Sequence, residues 1–100
     1  MKVKELKRVE NPNEFLKSWA GDTARRARKA GLRVGEVEVE QRAPNVFNVY
    51  VEHNGGGDLD WPAHKNVAPV KTGWKDGWYD WDADVYVKPY AFALVEVVAA

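Results

Sequence analysis

One stretch, residues 11–31, constrains the fold more than any other part of the sequence, because it has the pattern of a single long amphipathic helix. Asn11 can cap the first turn, Pro12 suits the first helical position, and Glu14 follows at the spacing of a capping box. Gly31 can adopt the left-handed conformation that ends a helix. One half of the helical wheel is charged or polar, and the other half has to be buried on another element. The half to be buried comprises Phe15, Leu16, Trp19, Ala20, Thr23, Ala24, Ala27 and Ala30.

The segments after the helix have the alternation of β-strands. Residues 32–41 predict a strand with valines on one face and glutamates on the other, and Gly35 indicates a bulge within it. Pro44 marks a turn, and residues 46–53 predict the returning strand. The two strands are therefore expected to form a hairpin.

Three further segments complete the expected sheet. Residues 2–9 are rich in lysine and predict a charged edge strand, while residues 81–88 and 90–98 predict two more strands. The last of these is apolar on both faces, which is typical of a strand that is buried on both faces. Residues 54–80 have no clear alternation and predict a long irregular loop, a feature that is uncommon unless the loop is functional or ordered by a partner.

This order of elements predicts the α+β class. We expect residues 1–100 to form one domain in which a long helix packs on a four- to five-stranded antiparallel sheet, in the order β-α-β-β-loop-β-β. The order resembles the cystatin-like topology. The turn at residues 41–45 lacks the Gln-x-Val-x-Gly hairpin of the small cysteine-protease inhibitors, so protease inhibition is disfavoured.

The amino-acid composition and the distribution of charge exclude several classes of function. The absence of cysteine excludes a disulfide framework, a zinc–thiolate site and a thiol nucleophile. The single serine, Ser18, lies on the polar face of the predicted helix, so we expect neither nucleophilic catalysis nor a cofactor. Residues 1–53 carry eleven basic against eight acidic side chains and the remainder four against seven, which argues against a globally basic nucleic-acid binder. No signal peptide or membrane span is predicted, so a cytoplasmic location is expected.

The densest group of aromatic residues lies between residues 61 and 81. Exposed aromatic side chains often anchor protein partners. The alternative is that these rings pin the loop onto the sheet, and the sequence leaves both interpretations open. The predicted partner contacts are Trp61, Trp74, Trp78 and Tyr79.

Basic residues gather near the C-terminal end of the predicted helix. Cations at this end complement the helix dipole, so a solvated face is the leading interpretation. The alternative is a contact with nucleic acid or with an acidic protein. This basic ridge comprises Arg25, Arg26, Arg28, Lys29 and Arg33.

A metal site is conceivable around His53, Asp58, Asp60 and His64, whose side chains suit a divalent ion. Their spacing matches no compact metal-binding signature, so no metal site is predicted. A metal-dependent hydrolase that uses His53, Asp58 and His64 stays a third class of function.

Two short segments resemble a known family. The segment from Ala68 to Gly73, Ala-Pro-Val-Lys-Thr-Gly, and the segment from Tyr90 to Glu96, Tyr-Ala-Phe-Ala-Leu-Val-Glu, resemble the Ala-Pro-Val-x-Thr-Gly and Tyr-Ala-x-x-Val-Glu motifs of tailed-phage tail-completion (neck) proteins. The Gly-Thr that usually follows the glutamate in that family is Val97-Val98 here. The resemblance implies a small α+β protein that builds rings at the head–tail junction.

The leading hypothesis is a non-enzymatic structural or interaction protein, for example a phage virion or neck subunit. It would bind protein partners, including copies of itself or a larger assembly, through the tryptophan-rich loop of residues 54–80 and the exposed face of the sheet. The alternative is a small binding module or inhibitor that acts through the basic ridge.

Overall fold

The structure, a computed structural model, describes residues 11–98. Within these residues one helix precedes six strands, so the fold is of the α+β class, as predicted. The edge strand predicted at residues 2–9 lies outside the described residues. The elements are α1 (Pro12–Lys29), β1 (Val34–Ala43), β2 (Val46–His53), β3 (Val67–Lys75), β4 (Trp78–Asp80), β5 (Val85–Val87) and β6 (Tyr90–Val97).

Helix α1 begins differently from the prediction. Asn11 adopts a left-handed conformation, with φ of 50° and ψ of 69°, and its side chain makes no capping hydrogen bond. A capping side chain needs an extended backbone at that position to reach the free N–H groups, so the predicted capping box was wrong. The main-chain carbonyl of Asn11 instead accepts a hydrogen bond from the N–H of Phe15, at 3.1 Å.

The C-terminal end of α1 confirms the prediction for Gly31. This glycine has a φ of 95°, in the left-handed region that other residues rarely adopt. Its N–H donates to the carbonyl of Arg28, and the N–H of Leu32 donates to the carbonyl of Ala27, both at 3.0 Å. These two bonds form a Schellman motif, which ends the helix and turns the chain toward β1.

Four strands form one antiparallel sheet in the order β1-β2-β6-β3. The predicted hairpin of β1 and β2 is confirmed, with a turn at Pro44 and Asn45. The pairing register shifts between Val34 and Val37, which confirms the bulge predicted at Gly35. Strand β6 comes last in this order of elements but lies inside the sheet, between β2 and β3.

The predicted loop of residues 54–80 was wrong in its second half, because β3 lies within it and pairs with β6. Pro69 and Gly73 normally disfavour strands and masked this one in the sequence. They are tolerated because β3 is the outermost strand among those of residues 11–98, and the register shifts next to Pro69.

The strand predicted at residues 81–88 was also wrong in extent. Residues 81–84 form a turn, and only Val85–Val87 is a strand. This short strand pairs with β4 in a separate two-stranded sheet and does not join the main one.

One face of the main sheet is covered by α1 and by the segment of residues 58–66. Trp19 donates its indole N–H to the carbonyl of Pro62, and Thr23 donates its hydroxyl to the carbonyl of Asp60, each at 2.9 Å. The predicted inner face of the helix is buried except for Phe15, which is half-buried, and Ala30, which is exposed. The core between these layers contains Leu16, Trp19, Ala20, Ala24, Phe47, Val49, Val51, Val67, Ala93, Val95 and Val97.

The opposite face of the sheet, here called the open face, has no helix on it among residues 11–98. The strand register places its side chains in rows that cross the sheet. Its central side chains on β2 and β6 are half-buried, so the strand predicted to be buried on both faces is fully buried only toward the helix. One row runs Glu38, Tyr50, Phe92 and Gly73, and the next runs Glu40, Asn48, Leu94 and Lys71.

A candidate protein-binding surface

Strands β4 and β5 form a hairpin that is closed by an aspartate-rich turn. The Asp80 carboxylate accepts hydrogen bonds from the N–H groups of Asp82, at 3.1 Å, and Ala83, at 3.2 Å. Asp84 has a φ of 55°, a left-handed conformation that aspartate tolerates better than most residues. Short aspartate side chains that bond to the nearby backbone are typical of turns, which explains why the strand pattern ends here.

A hydrogen bond across the turn supports the hairpin. The Tyr79 hydroxyl donates to the Asp84 carboxylate, and this bond, with a smaller contribution from burial, raises the pKa of Tyr79. The ring centroids of Tyr79 and Trp81 lie 4.5 Å apart in a tilted arrangement. The turn therefore holds two aromatic rings side by side at the tip of the hairpin.

The base of the hairpin is packed around Gly77. A Cβ atom at this position would lie 2.4 Å from the Tyr86 hydroxyl oxygen and 2.9 Å from both the Val87 carbonyl oxygen and a ring carbon of Pro89. Backbone atoms cannot move aside easily, so only glycine fits between β4 and the chain that returns from β5.

The exposed apolar side chains of the protein concentrate on this hairpin. Among residues 11–98, six large apolar side chains are exposed, and Val70 is the only one of them outside the hairpin. Trp81 is the most exposed, at 83%. Neighbouring exposed apolar side chains of this kind mark interaction sites. We call this group the aromatic hairpin: Trp78, Tyr79, Trp81, Val85 and Tyr86.

A cleft of about 440 Å³ lies between the end of the hairpin and the open face. Four carboxylates and three tyrosines line it, so it is both acidic and aromatic. Lys88, the one basic side chain in the lining, pairs with Glu52 at 3.4 Å. The full lining is Glu36, Glu38, Glu40, Tyr50, Glu52, Tyr86, Val87, Lys88 and Tyr90.

Hydrogen bonds keep one of these carboxylates ionised. Glu40 accepts from the Arg42 guanidinium at 2.9 Å and from the Tyr50 hydroxyl at 3.2 Å, and both bonds lower the pKa of Glu40. Burial and the adjacent negative charge of Glu40 raise the pKa of Tyr50. Around neutral pH the cleft therefore presents the negative charge of Glu40 beside the neutral hydroxyl of Tyr50.

The four predicted partner contacts lie in different environments. Trp78 and Tyr79 belong to the aromatic hairpin. Trp61 stacks on Trp19, with ring centroids 5.5 Å apart, and packs against the core, as in the alternative interpretation of the cluster. Trp74 is half-buried beside His53, and its indole N–H has no acceptor among the described residues. Partner contact at these four residues stays a prediction.

The sequence prediction did not include Trp81, Val85 and Tyr86 among the contacts. In the strand predicted at residues 81–88, Trp81 and Val85 alternate with Asp82 and Asp84, a pattern that puts the two apolar side chains on one face and the aspartates on the solvated face. The cluster of Asp80, Asp82 and Asp84 was the signal that could have identified the exposed tip, because closely spaced aspartates are also typical of turns.

The residues weighed for a metal site have structural hydrogen bonds instead. The buried His53 ring accepts from the N–H of Gly55 and lies 3.0 Å from the carbonyl of Gly57, so one neutral tautomer satisfies both contacts. The Asp58 carboxylate accepts from the Trp61 indole and the Thr72 hydroxyl. Across residues 11–98 there is no group of three or more side chains arranged to hold a metal ion.

The residues of the basic ridge are exposed on the C-terminal half of α1 and just after it. Arg25 pairs with Asp22, and the Arg28 guanidinium lies 3.5 Å from the carbonyl of Gly35. Asp22 also borders the shallow depression between Arg25, Arg26 and Lys29. Binding through this ridge stays a prediction.

The comparisons with known protein families, curated proteins and solved structures give no match to the chain. In the described part of the chain, α1 is too polar to cross a lipid bilayer.

Proposed function

We propose that this chain is a non-enzymatic interaction protein that binds a protein partner through the aromatic hairpin. The observation that carries the proposal is that five of the six large apolar side chains exposed in residues 11–98 lie on this hairpin. Binding energy at protein interfaces concentrates in a few residues of this kind, with tryptophan and tyrosine prominent among them.

The charge around the hairpin indicates the chemistry of the partner. Four aspartates lie on the hairpin or directly before it, and residues 78–87 carry no basic side chain. Interfaces commonly combine an apolar centre with a polar rim. The partner surface that fits best is an apolar patch bordered by lysine or arginine. The four aspartates are Asp76, Asp80, Asp82 and Asp84.

A place in a larger assembly is the context that we favour, and a phage virion or neck is one such assembly. The two segments that resemble tailed-phage tail-completion proteins lie side by side, because β3 pairs with β6 and Ala68 is opposite Glu96. Segments 17 or more residues apart in sequence but adjacent in one sheet can act as one structural unit. The adjacency of these two segments in the sheet supports the proposal of a place in a larger assembly.

The proposal can be tested without a known partner. A phage-displayed library of random 12-residue peptides is selected on the immobilised protein, and the binders are measured by fluorescence anisotropy. We expect peptides that combine apolar with basic residues. Binding should weaken at least about tenfold in Trp78→Ala/Trp81→Ala, since loss of a hot-spot residue commonly costs 2 kcal/mol or more.

The matched control is Val70→Ala, which removes an exposed apolar side chain of comparable accessibility away from the hairpin. It should leave peptide binding unchanged. Peptides that bind the hairpin variant and the unmodified protein equally would contradict the proposal. Acidic peptides that lose binding in Arg26→Glu/Lys29→Glu and weaken steeply with salt would instead identify the basic ridge as the site.

A further inference from the structure

The charges of the open face are segregated by strand. The β1 edge carries glutamates, and the β3 edge carries lysines, both exposed. Between these edges the two central strands present a half-buried apolar and aromatic stripe, which contains Asn48 and has Glu52 and Glu96 at its two ends. The acidic edge is Glu36, Glu38 and Glu40, the stripe is Tyr50, Tyr90, Phe92 and Leu94, and the basic edge is Lys71 and Lys75.

These opposite charges do not compensate each other within one chain. Strands lie about 4.8 Å apart, so three spacings separate β1 from β3 by about 14 Å. Exposed charges at this distance are screened at physiological ionic strength, where the Debye length is about 8 Å. Within residues 11–98, Glu36 and Glu38 have no ion-pair partner, and neither have Lys71 and Lys75.

We propose that the open face is a homodimer interface and that a second copy of the chain packs on it face to face. A twofold axis in the interface, running close to the strand direction, exchanges β1 with β3 and β2 with β6. The acidic edge of each copy then meets the basic edge of the other. An axis perpendicular to the strands would bring acidic edges together, so charge selects one orientation.

The strand register specifies the contacts of this dimer. Glu40 and Lys71 occupy one row, so Glu40 faces Lys71 of the second copy, and Tyr50 faces Phe92 of the second copy in the next row. Glu36 lies at the bulge beside the row of Glu52, Tyr90 and Lys75, so it faces Lys75 of the second copy. A twofold axis preserves position along the strands, so Glu40 and Glu36 each meet a lysine of the second copy, whereas Glu38 faces Gly73 of that copy.

The cleft beneath the hairpin gives Lys75 of the second copy a site to enter. Glu36, which has no ion-pair partner within residues 11–98, lies at that end of the cleft with Tyr86 and Tyr90, beside Glu52, which pairs with Lys88 of its own chain. Carboxylates attract an ammonium group, and tyrosine faces add cation–π stabilisation. Glu36 at this end of the cleft can therefore receive a basic side chain, and the opposite edge of the same sheet supplies one.

The size of the face predicts a reversible dimer. Four strands about 4.8 Å apart and eight residues at about 3.4 Å each give a face of about 500 Å², or about 1,000 Å² for both copies. This area is at the lower limit for a specific interface. We therefore expect the monomer and the dimer to coexist at micromolar concentrations. The same axis places both aromatic hairpins at one end of the dimer, which would present the surface of the proposed function twice.

The test is sedimentation equilibrium of the full chain over a wide range of concentrations. The unmodified protein should populate a dimer. Glu36→Lys and Lys75→Glu should each raise the dimer dissociation constant about tenfold or more, since each opposes like charges across the interface. The double variant Glu36→Lys/Lys75→Glu exchanges the two charges and should restore dimerisation to within about threefold of the unmodified protein.

Lys65→Glu is the matched control, because it makes the same charge change in the segment beside the helix, away from the open face. It should leave dimerisation unchanged, and circular dichroism should show that all variants are folded. A protein that stays monomeric at every concentration would overturn the proposal, as would a dimer that the charge variants do not affect. Loss of peptide binding by the hairpin with this dimer intact would refute only the proposed function.

Discussion

Two pairs of tryptophans differ in their exposure to solvent: one pair packs in the core, and the other lies on the surface. Trp19 and Trp61 are stacked between the helix and the sheet, and Trp19 is only 6% exposed. Trp78 and Trp81 lie on the isolated hairpin, where Trp81 is 83% exposed. The first pair closes the core, and the second pair is free to contact a partner.

The difference in exposure arises from the secondary-structure elements that pack around each pair, since the tryptophan side chains themselves are identical. Trp19 has the sheet beneath it and residues 58–66 beside it, and a backbone carbonyl accepts its N–H. In the described part of the chain, the hairpin has two strands and no further strand beside it. A tryptophan-rich sequence therefore becomes a core or a contact surface according to the number of layers that the backbone brings to it.

The largest expected effect is a difference in stability between variants of the buried and the exposed tryptophan pair. Trp19→Ala should lower the free energy of unfolding by about 3–5 kcal/mol, because it leaves a cavity and removes the hydrogen bond to Pro62. Trp81→Ala should change it by no more than about 0.5 kcal/mol, as exposed substitutions usually do. Urea unfolding followed by far-ultraviolet circular dichroism measures both. Equal losses in the two variants would show that the hairpin belongs to the folding core.

An intermediate effect is expected at the base of the hairpin. Gly77→Ala places a methyl group against the Val87 carbonyl and should destabilise the hairpin by about 1–3 kcal/mol. An isolated two-stranded hairpin is only marginally stable, so the segment should open while the main sheet persists. Limited chymotrypsin digestion should then cut at the aromatic residues of the hairpin first.

Gly21→Ala is the control for this change. A methyl group there meets only the end of the Arg25 side chain at 4.0 Å, so the variant should be as stable as the unmodified protein or more stable by up to about 1 kcal/mol. Resistance of Gly77→Ala to digestion would mean that the hairpin tolerates a side chain at its base.

The smallest effect concerns the tip of the hairpin and pH. The hydrogen bond to Asp84 raises the pKa of Tyr79. The contribution of this bond to stability is therefore complete below the ordinary tyrosine pKa of about 10, and it is lost as pH rises through the raised pKa. Asp84→Asn keeps a residue that tolerates the left-handed backbone but removes the negative charge. It should lower the pKa of Tyr79 toward its ordinary value.

Tyrosinate absorbance, taken as the difference from a Tyr79→Phe background, measures this titration. Asp82→Asn is the control, since Asp82 lies in the same turn and makes no contact with the Tyr79 hydroxyl. An identical titration of Tyr79 in both asparagine variants would show that the bond to Asp84 does not form in solution.

The local parts of the fold could be predicted from the sequence. The faces of α1, its end at Gly31 and the hairpin of β1 and β2 all follow from patterns within 20 or so residues. In each case a single periodicity or turn signal decided the outcome, and no competing pattern was present. The candidate contacts Trp78 and Tyr79 were found for a similar reason, because aromatic side chains in a loop are conspicuous.

The parts that could not be predicted depend on distant pairings or on competing local signals. Pro69 and Gly73 disfavour a strand, and only the neighbouring β6 makes β3 form at the edge of the sheet. Trp81 to Asp84 alternate like a strand, but hydrogen bonds to Asp80 fold them into a turn. Which tryptophans are buried depends on α1 and residues 58–66 coming together, and nothing in their local sequence specifies this.

The position of β6 has a consequence for how the protein forms during synthesis. Of the strands within residues 11–98 this one is made last, but it lies between β2 and β3, which do not pair with each other across that gap. The hairpin of β1 and β2 can form as soon as it leaves the ribosome, whereas β3 has no sheet neighbour within residues 11–98 until β6 emerges. Completion of the sheet is thus a late, long-range step, and until then β2 and β3 each have a free edge that a chaperone or a neighbouring chain can reach.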